Sequence, residues 1–276
     1  MRPRRLDPTD EPAIEELLEQ SPVLNLFLLG FLAVHPVDRA WWYGVEEGTG
    51  DGRLGGVVMV LPGRLAVPFC PNPTLASALG ETMRQLHRPC MLVGPREACD
   101  RIWAQWGRAA AVLRHYDQRL YILETLPPGA VPAGFRRAQD ADVDVIAAQS
   151  SAMTAEDLGF DPADESPVAH HATVQDRVRA GRTWVLQREG SIVFQINVGT
   201  VSERGCQVGG TYVPPVHRGR GYASLGVAAT CRRMLALHPR VTLHVNEANL
   251  PAVRVYEKVG FVRSEPMRLI TVRGDP

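Results

Sequence analysis

The sequence predicts an α/β chain of the α+β kind, made of two similar domains in which a mixed sheet is flanked by helices. Three observations carry this. At 276 residues the chain has room for two ordinary cores. A Pro-rich break, Pro127-Pro128-Gly129-Ala130-Val131-Pro132, cannot hold a helix and divides the chain near its middle. The same order of strands and helices is legible on both sides of it. The division expected is therefore residues 1–126, a linker 127–133, and residues 134–276.

In the first half, residues 9–20 read as a helix, with Thr9 or Asp10 as cap, Pro12 in the first turn, and Ile14, Leu17 and Leu18 on one face. The apolar run Leu24–Val34 is too short to cross a bilayer and reads as a buried helix. Strands are expected at 41–46, at 54–61 (apolar throughout, hence buried on both faces) and at Arg64–Phe69. Helix 74–87, strand 90–93, helix 97–106 and β-rich stretches 109–114 and 118–123 follow.

The second half repeats the order. Strand 135–137 leads to helices 140–153 and 168–180, then to a hairpin of Trp184–Gln187 and Ile192–Val198 around Glu189-Gly190. A strand from Cys206 to Val213, helix 221–237, strand 241–246, helix 250–259 and strands 261–264 and 267–272 complete it. Arg5, Asp10 and Ile14 lie 132 residues before Arg137, Asp142 and Ile146, and the run around Trp103 and Gly107 parallels the run around Tyr256 and Gly260.

Composition excludes several classes. Thirty basic residues balance thirty acidic ones and no basic block appears, so neither nucleic acid nor membrane is an expected partner. Five cysteines without a Cys-x-x-Cys, and no signal peptide, suit a reducing cytoplasm. No metal-ligand spacing stands out, His170-His171 included.

The chemistry concentrates at residues 206–224. A strand stops at Pro214-Pro215, and Arg218-Gly219-Arg220-Gly221-Tyr222-Ala223 opens a helix. A helix start presents unpaired N–H groups and the positive end of its dipole, which together bind anions. Gly219 and Gly221 leave those donors uncovered, Arg218 and Arg220 add charge, and Ala223 is small. In the helix that follows, Ala223, Val227, Thr230, Cys231 and Met234 share a face and read as core.

The spacing Arg218-x-x-Gly221-x-Ala223 after a strand resembles the acyl-CoA pyrophosphate loop of the GNAT N-acetyltransferases. The later run Asn249, Ala252 and Tyr256-x-Lys258-x-Gly260-Phe261 is similar to that family's second signature. The resemblance covers residues 134–273. It implies a tandem of two GNAT-like domains with mostly antiparallel, twisted sheets. The first resembles a degenerate copy, with Pro71-Asn72-Pro73 in place of the anion loop and Trp103 in place of Tyr256.

The resemblance further implies acetyl-CoA as co-substrate, no metal, and transfer of an acetyl or other acyl group to a primary amine by direct attack in a ternary complex. The loop Arg218 to Ser224, with Gly219, Arg220, Gly221, Tyr222 and Ala223 between, would hold the cofactor, and the pantetheine arm would run beside Tyr212 and Val213. Asn249 would touch the cofactor, although it also reads as the cap of helix 250–259. Tyr256 shares a face with Ala252 and Val259, a core pattern; the resemblance assigns its hydroxyl as the acid for the departing thiolate.

The base stays open. Glu247 is the side chain placed best, a water relay is its equal, and Glu203 and His244 read as solvated turn and core. The acidic segment 153–167, a loop between helices that cover the acceptor site in the family, would attract a cationic amine through Glu156, Asp157, Asp161, Asp164 and Glu165. The competing functions are a non-catalytic acyl-CoA sensor or scaffold and a peptide-binding module. Monomer and homodimer are both compatible with the sequence.

Overall fold

The structure is a computed structural model and describes residues 2–48, 50, 52–84, 91–107 and 112–272. In chain order the elements are β1 (Arg4–Arg5), α1 (Glu11–Leu18), α2 (Leu26–Leu32), β2 (Trp41–Glu46), β3 (Leu54–Leu61), β4 (Leu65–Phe69), α3 (Pro73–Met83), β5 (Met91–Pro95), α4 (Arg96–Trp106) and β6 (Val112–Leu123). After the Pro-rich segment come β7 (Phe135–Arg137), α5 (Val143–Leu158), α6 (Pro162–Glu165), α7 (Pro167–Arg179), β8 (Thr183–Arg188), β9 (Ser191–Ser202) and β10 (Gly205–Tyr212). The chain ends with α8 (Tyr222–Leu235), β11 (Val241–Asn246), α9 (Leu250–Val259) and β12 (Val262–Val272).

Two compact units form: residues 1–120 with 244–248 and 264–276, and residues 121–243 with 249–263. In the first the strand order is β1-β2-β3-β4-β5-β12-β6. All described pairings up to β4 are antiparallel, β4 and β5 run parallel, and β12 pairs antiparallel with β5 from Met267↔Pro95 to Thr271↔Met91. In the second the order is β11-β10-β9-β8-β7, antiparallel except for the parallel pair β10 and β11.

Alternation along the strands explains the first unit's two cores. Trp42, Val57 and Met59 join the α1–α2 side with Ile14, Leu17 and Leu28, while Tyr43, Val58 and Val60 join the α3–α4 side with Leu79, Ile102 and Trp106. β3 is buried on both faces, as its unbroken apolar sequence implies. α2 is the short buried helix read from Leu24–Val34, and among the described residues no helix is long and apolar enough to cross a membrane.

The same ion-pair clasp opens both units. Arg4 binds Asp10 through two hydrogen bonds (2.6 and 2.9 Å), and Asp10 also accepts from the Asp7 N–H at 2.9 Å. Arg136 binds Asp142 (2.6 and 3.0 Å), and Asp142 accepts from the Gln139 N–H at 2.8 Å. In both, the arginine's hydrogen bonds hold the aspartate carboxyl below its ordinary range. The sequence parallel placed Arg5 and Arg137 in these positions; the arginines that pair are one residue earlier, because strand alternation turns neighbours to opposite faces.

Several boundaries differ from the sequence reading. β6 is one strand over Val112–Leu123, since Tyr116-Asp117-Gln118 contains neither Gly nor Pro to break it; residues 109–111, 85–87 and Cys90 lie outside the described residues. β12 is likewise one strand across Pro266, which sits just outside the ladder with β5. α5 continues past residue 153 to Leu158 because nothing before Gly159 (φ 79°) breaks it. That extension puts Glu156 and Asp157 on a helix instead of in a loop.

α8 lies against β9 through Gly226, where a Cβ would fall 2.2 Å from the ring of Phe194, a residue with no exposed surface. Gly226→Ala gains about 1 kcal/mol of helix propensity but overpacks a rigid ring at about 1–3 kcal/mol. Denaturant unfolding should show a net loss of up to about 2 kcal/mol; raised stability would mean that this helix does not need its close approach.

Candidate active site

The site of the second unit starts from a parting of strands. β10 and β11 are paired only at Cys206↔Val241 and Gln207↔Thr242. Beyond these rungs β10 continues to Tyr212 with β9 as its ladder partner. Pro214 and Pro215 cannot donate, so pairing stops, and a turn over Pro215–His217 leads into the glycine loop.

Gly219 and Gly221 have φ of 77° and 76°, the left-handed region that side chains resist. A Cβ at either would meet nothing within 4 Å, so the backbone is open on that side. Gly221 is the N-cap of α8 and no side chain caps the helix. Its first-turn N–H groups are thus left for a ligand, together with the positive end of the dipole.

These elements wall a cavity of about 430 Å³. Of the residues expected at the site, Tyr212, Val213, Arg218, Gly219 and Gly221 line it, as do Tyr222, Ala223 and Ser224 from the start of α8. Asn249 and Tyr256 line it from the α9 side. Arg220 is not among the lining residues. Asn249 caps α9, accepting from the Ala252 N–H at 3.2 Å, so the capping role read from the sequence is present.

Arg218 does not point freely at the loop. Its Nη2 donates to Glu156 Oε2 at 2.7 Å, its Nε donates to the Val213 carbonyl at 3.0 Å, and its guanidinium lies 5.5 Å from the centre of the Tyr212 ring. The Tyr212 hydroxyl donates to Glu156 Oε1 at 3.0 Å, and burial and then this carboxylate raise its pKa. Sequence reasoning placed Glu156 and Asp157 in an acidic loop; both are on α5 and line the cavity. The signal was there: the first helix breaker after Ala147 is Gly159.

Tyr256 is buried, with 7 % of its surface exposed, and its ring packs edge-on against Phe261 at 5.8 Å. Burial pushes its hydroxyl up to about 12. Thr211, a lining residue that the sequence did not single out, is a hydrogen-bonding neighbour of the Tyr256 hydroxyl, and His217 Nδ1, from another, is buried without a hydrogen-bond partner among the described residues.

Glu247 belongs to the first unit and is not among the cavity's lining residues. Its Oε2 accepts from Arg96 at 3.0 Å and its Oε1 from Arg119 at 2.9 Å. Both carboxylate oxygens are held by guanidinium groups, which is the arrangement of a structural ion pair. The described cysteines are free and buried, Cys231 in the core face of α8 as expected, and burial raises the thiols, to about 12 for Cys70 and Cys206. Among the described residues no group of three His, Cys, Asp or Glu side chains could hold a metal ion.

The Tyr256 environment can be checked directly. Spectrophotometric titration of the full chain, which holds six tyrosines, should contain a component near pH 12 that disappears in Tyr256→Phe. A Tyr256 component at the ordinary tyrosine value would show that the hydroxyl is solvated.

Residues 150–261 match the family model described as "Acetyltransferase (GNAT) family". No curated protein matches the chain in sequence. Among solved structures, a Drosophila protein has a TM-score of 0.70 at 15 % identity, with 99 % of each chain covered. A GCN5-related N-acetyltransferase from Sphaerobacter thermophilus has a TM-score of 0.62 at 16 % identity, covering 97 % of this chain and 94 % of that one. A tandem GNAT protein from the clavulanic acid biosynthesis pathway covers 100 % of this chain and 99 % of its own, with a TM-score of 0.55 at 17 % identity. With both units built on one strand order, the fold is that of a tandem of GNAT-like domains. The stretch that carries the glycine loop and Tyr256 is a member of the acetyltransferase (GNAT) family.

Proposed function

We propose that the second unit is an acyl-CoA-dependent N-acyltransferase, which moves an acetyl group from acetyl-CoA to a primary amine. The observation that carries this reading is one cavity bounded by an uncapped helix start with two open glycines on one side and by a buried tyrosine on the other. The residues fit the co-substrate. A pyrophosphate needs N–H donors that no side chain covers, and the start of α8 offers them. A pantetheine arm carries amides, and the length of β10 left unpaired by β11 has backbone groups to meet them. When bound, acetyl-CoA supplies an activated acyl group as a thioester.

The chain's own residues then have separable tasks. The Gly219–Ser224 backbone would anchor the phosphates. Tyr256 stays protonated throughout the physiological range because burial disfavours its phenolate. Its hydrogen is therefore present to meet negative charge as it grows on the leaving sulfur. Glu247 does not enter this reading, since two arginines hold it.

Two variants test separate parts. Each charge-assisted hydrogen bond to a phosphate is worth about 1.5–3 kcal/mol. Gly221→Glu should therefore abolish acetyl-CoA binding by calorimetry; affinity equal to wild type would remove the loop from the reading. Tyr256→Phe keeps the ring, so acetyl-CoA affinity and Tm should hold while kcat falls about 10²–10⁴-fold. Turnover within twofold of wild type, measured where chemistry limits the rate, would reduce Tyr256 to a packing residue.

A further inference from the structure

The base is the part of this site that neither the loop nor Tyr256 supplies. Three carboxylates compete for it. Glu247 is held by Arg96 and Arg119. Glu156 has one oxygen on the Tyr212 hydroxyl and the other on Arg218. Asp157, the next residue on α5, lines the same cavity as Tyr256 and makes no hydrogen bond or ion pair with any described residue.

We propose that Asp157 is the base that takes the proton from the acceptor's ammonium group, so that the acceptor of this site is an amine that arrives charged. This rests on the acyltransferase reading above. A free carboxylate in a cavity walled by α5, β10, the glycine loop and α9 attracts a cation, and it has a vacant oxygen to receive the proton. The charged and titratable groups around it are Glu156 on its own helix, Arg218 and His217 in the loop, Tyr212 on β10 and Tyr256 on α9.

Their balance favours a base. Asp157 is exposed at the cavity wall, yet crowding by the protein atoms around it still raises its carboxyl above the ordinary value, the adjacent Glu156 raises it further, and Arg218 opposes both. A carboxylate raised in this way holds a proton more readily at neutral pH. Its charge also reaches Tyr256, whose hydroxyl it helps to keep protonated. One cavity thus holds a group biased to take a proton and a group biased to keep one, the arrangement that separates base from acid.

The protons balance. The Asp157 carboxylate takes one proton from the ammonium, which frees the nitrogen lone pair. The C–N bond forms as the C–S bond breaks, and the sulfur takes the Tyr256 hydroxyl proton. The nitrogen's next proton returns to the Tyr256 oxygen, and Asp157 loses its proton to solvent. The sum is ammonium plus thioester giving amide, thiol and one proton.

The first test needs no acceptor. In carbon-13 NMR of the full chain labelled at aspartate, the Asp157 carboxyl is identified by its loss in Asp157→Asn. It should titrate above an ordinary aspartate, and titration at or below that value overturns the proposal. The second test follows thiol release from acetyl-CoA with two probes, cadaverine, which is charged at neutral pH, and aniline, which is not. Asp157→Asn should cut kcat/KM for cadaverine about 10²–10⁴-fold and remove the acid-side limb of its pH profile. Acetyl-CoA affinity should be unchanged and aniline spared. Equal losses with both probes mean a packing role, and a limb that follows His217→Gln instead assigns the base to His217; each overturns the proposal. If wild type releases thiol with neither probe, the acyltransferase reading is what has failed, and the NMR titration still decides the state of Asp157.

Discussion

Two parallel strands that hold together at Cys206–Val241 and Gln207–Thr242 and nowhere beyond set the geometry of the second unit. A sheet that stayed zipped would bury its backbone groups in a ladder and leave nothing for a ligand. Here β10 outruns its partner, and the pair Pro214-Pro215 ends its capacity to donate. The glycine loop then turns back with two left-handed residues, so that α8 starts at the open end of the strand. Gly226 completes the arrangement from below by letting α8 rest on the Phe194 ring, which fixes where the helix start points.

The electrostatics of the cavity are not those of a plain anion site. The loop and the helix start favour negative charge, yet α5 contributes Glu156 and Asp157 to the same walls. The Arg218–Glu156 contact between half-exposed groups is worth little as stability, about 0–1 kcal/mol. Its weight lies in placement: it ties the end of α5 to the loop, and the Tyr212 hydroxyl adds a second tie to the same carboxylate.

What the sequence made legible was local. The strands at 41–46, 54–61, 135–137 and 241–246 and the helix at 250–259 have the bounds read from pattern alone; Pro62, Gly134, and Asn249 with Gly260 mark the ends of three of them. The loop Arg218–Ser224 was visible because its residues are consecutive. Asn249 and Tyr256 were visible because one helix spaces them. Glu247 shows the limit of such reading. Following a strand, it has the position of a base, and only the fold reveals that Arg96 and Arg119, more than a hundred residues earlier, hold its oxygens. Asp157 shows the converse, since nothing in its own neighbourhood distinguishes it from the other acids of 153–167. Which of these is already bound is a fact about β10 and the loop.

The strand β12 has a consequence of another kind. It is made long after β5, yet it completes the first unit by pairing with β5 through Met267↔Pro95 and the rungs that follow. At synthesis rates of about 5–20 residues per second, β5 waits on the order of 10–30 s after it is translated for that partner. Until then the edge of β5 presents unpaired N–H and C=O groups, the surface on which strands aggregate. The first unit, although encoded first, therefore cannot be complete before the second unit's residues up to 263 have been made.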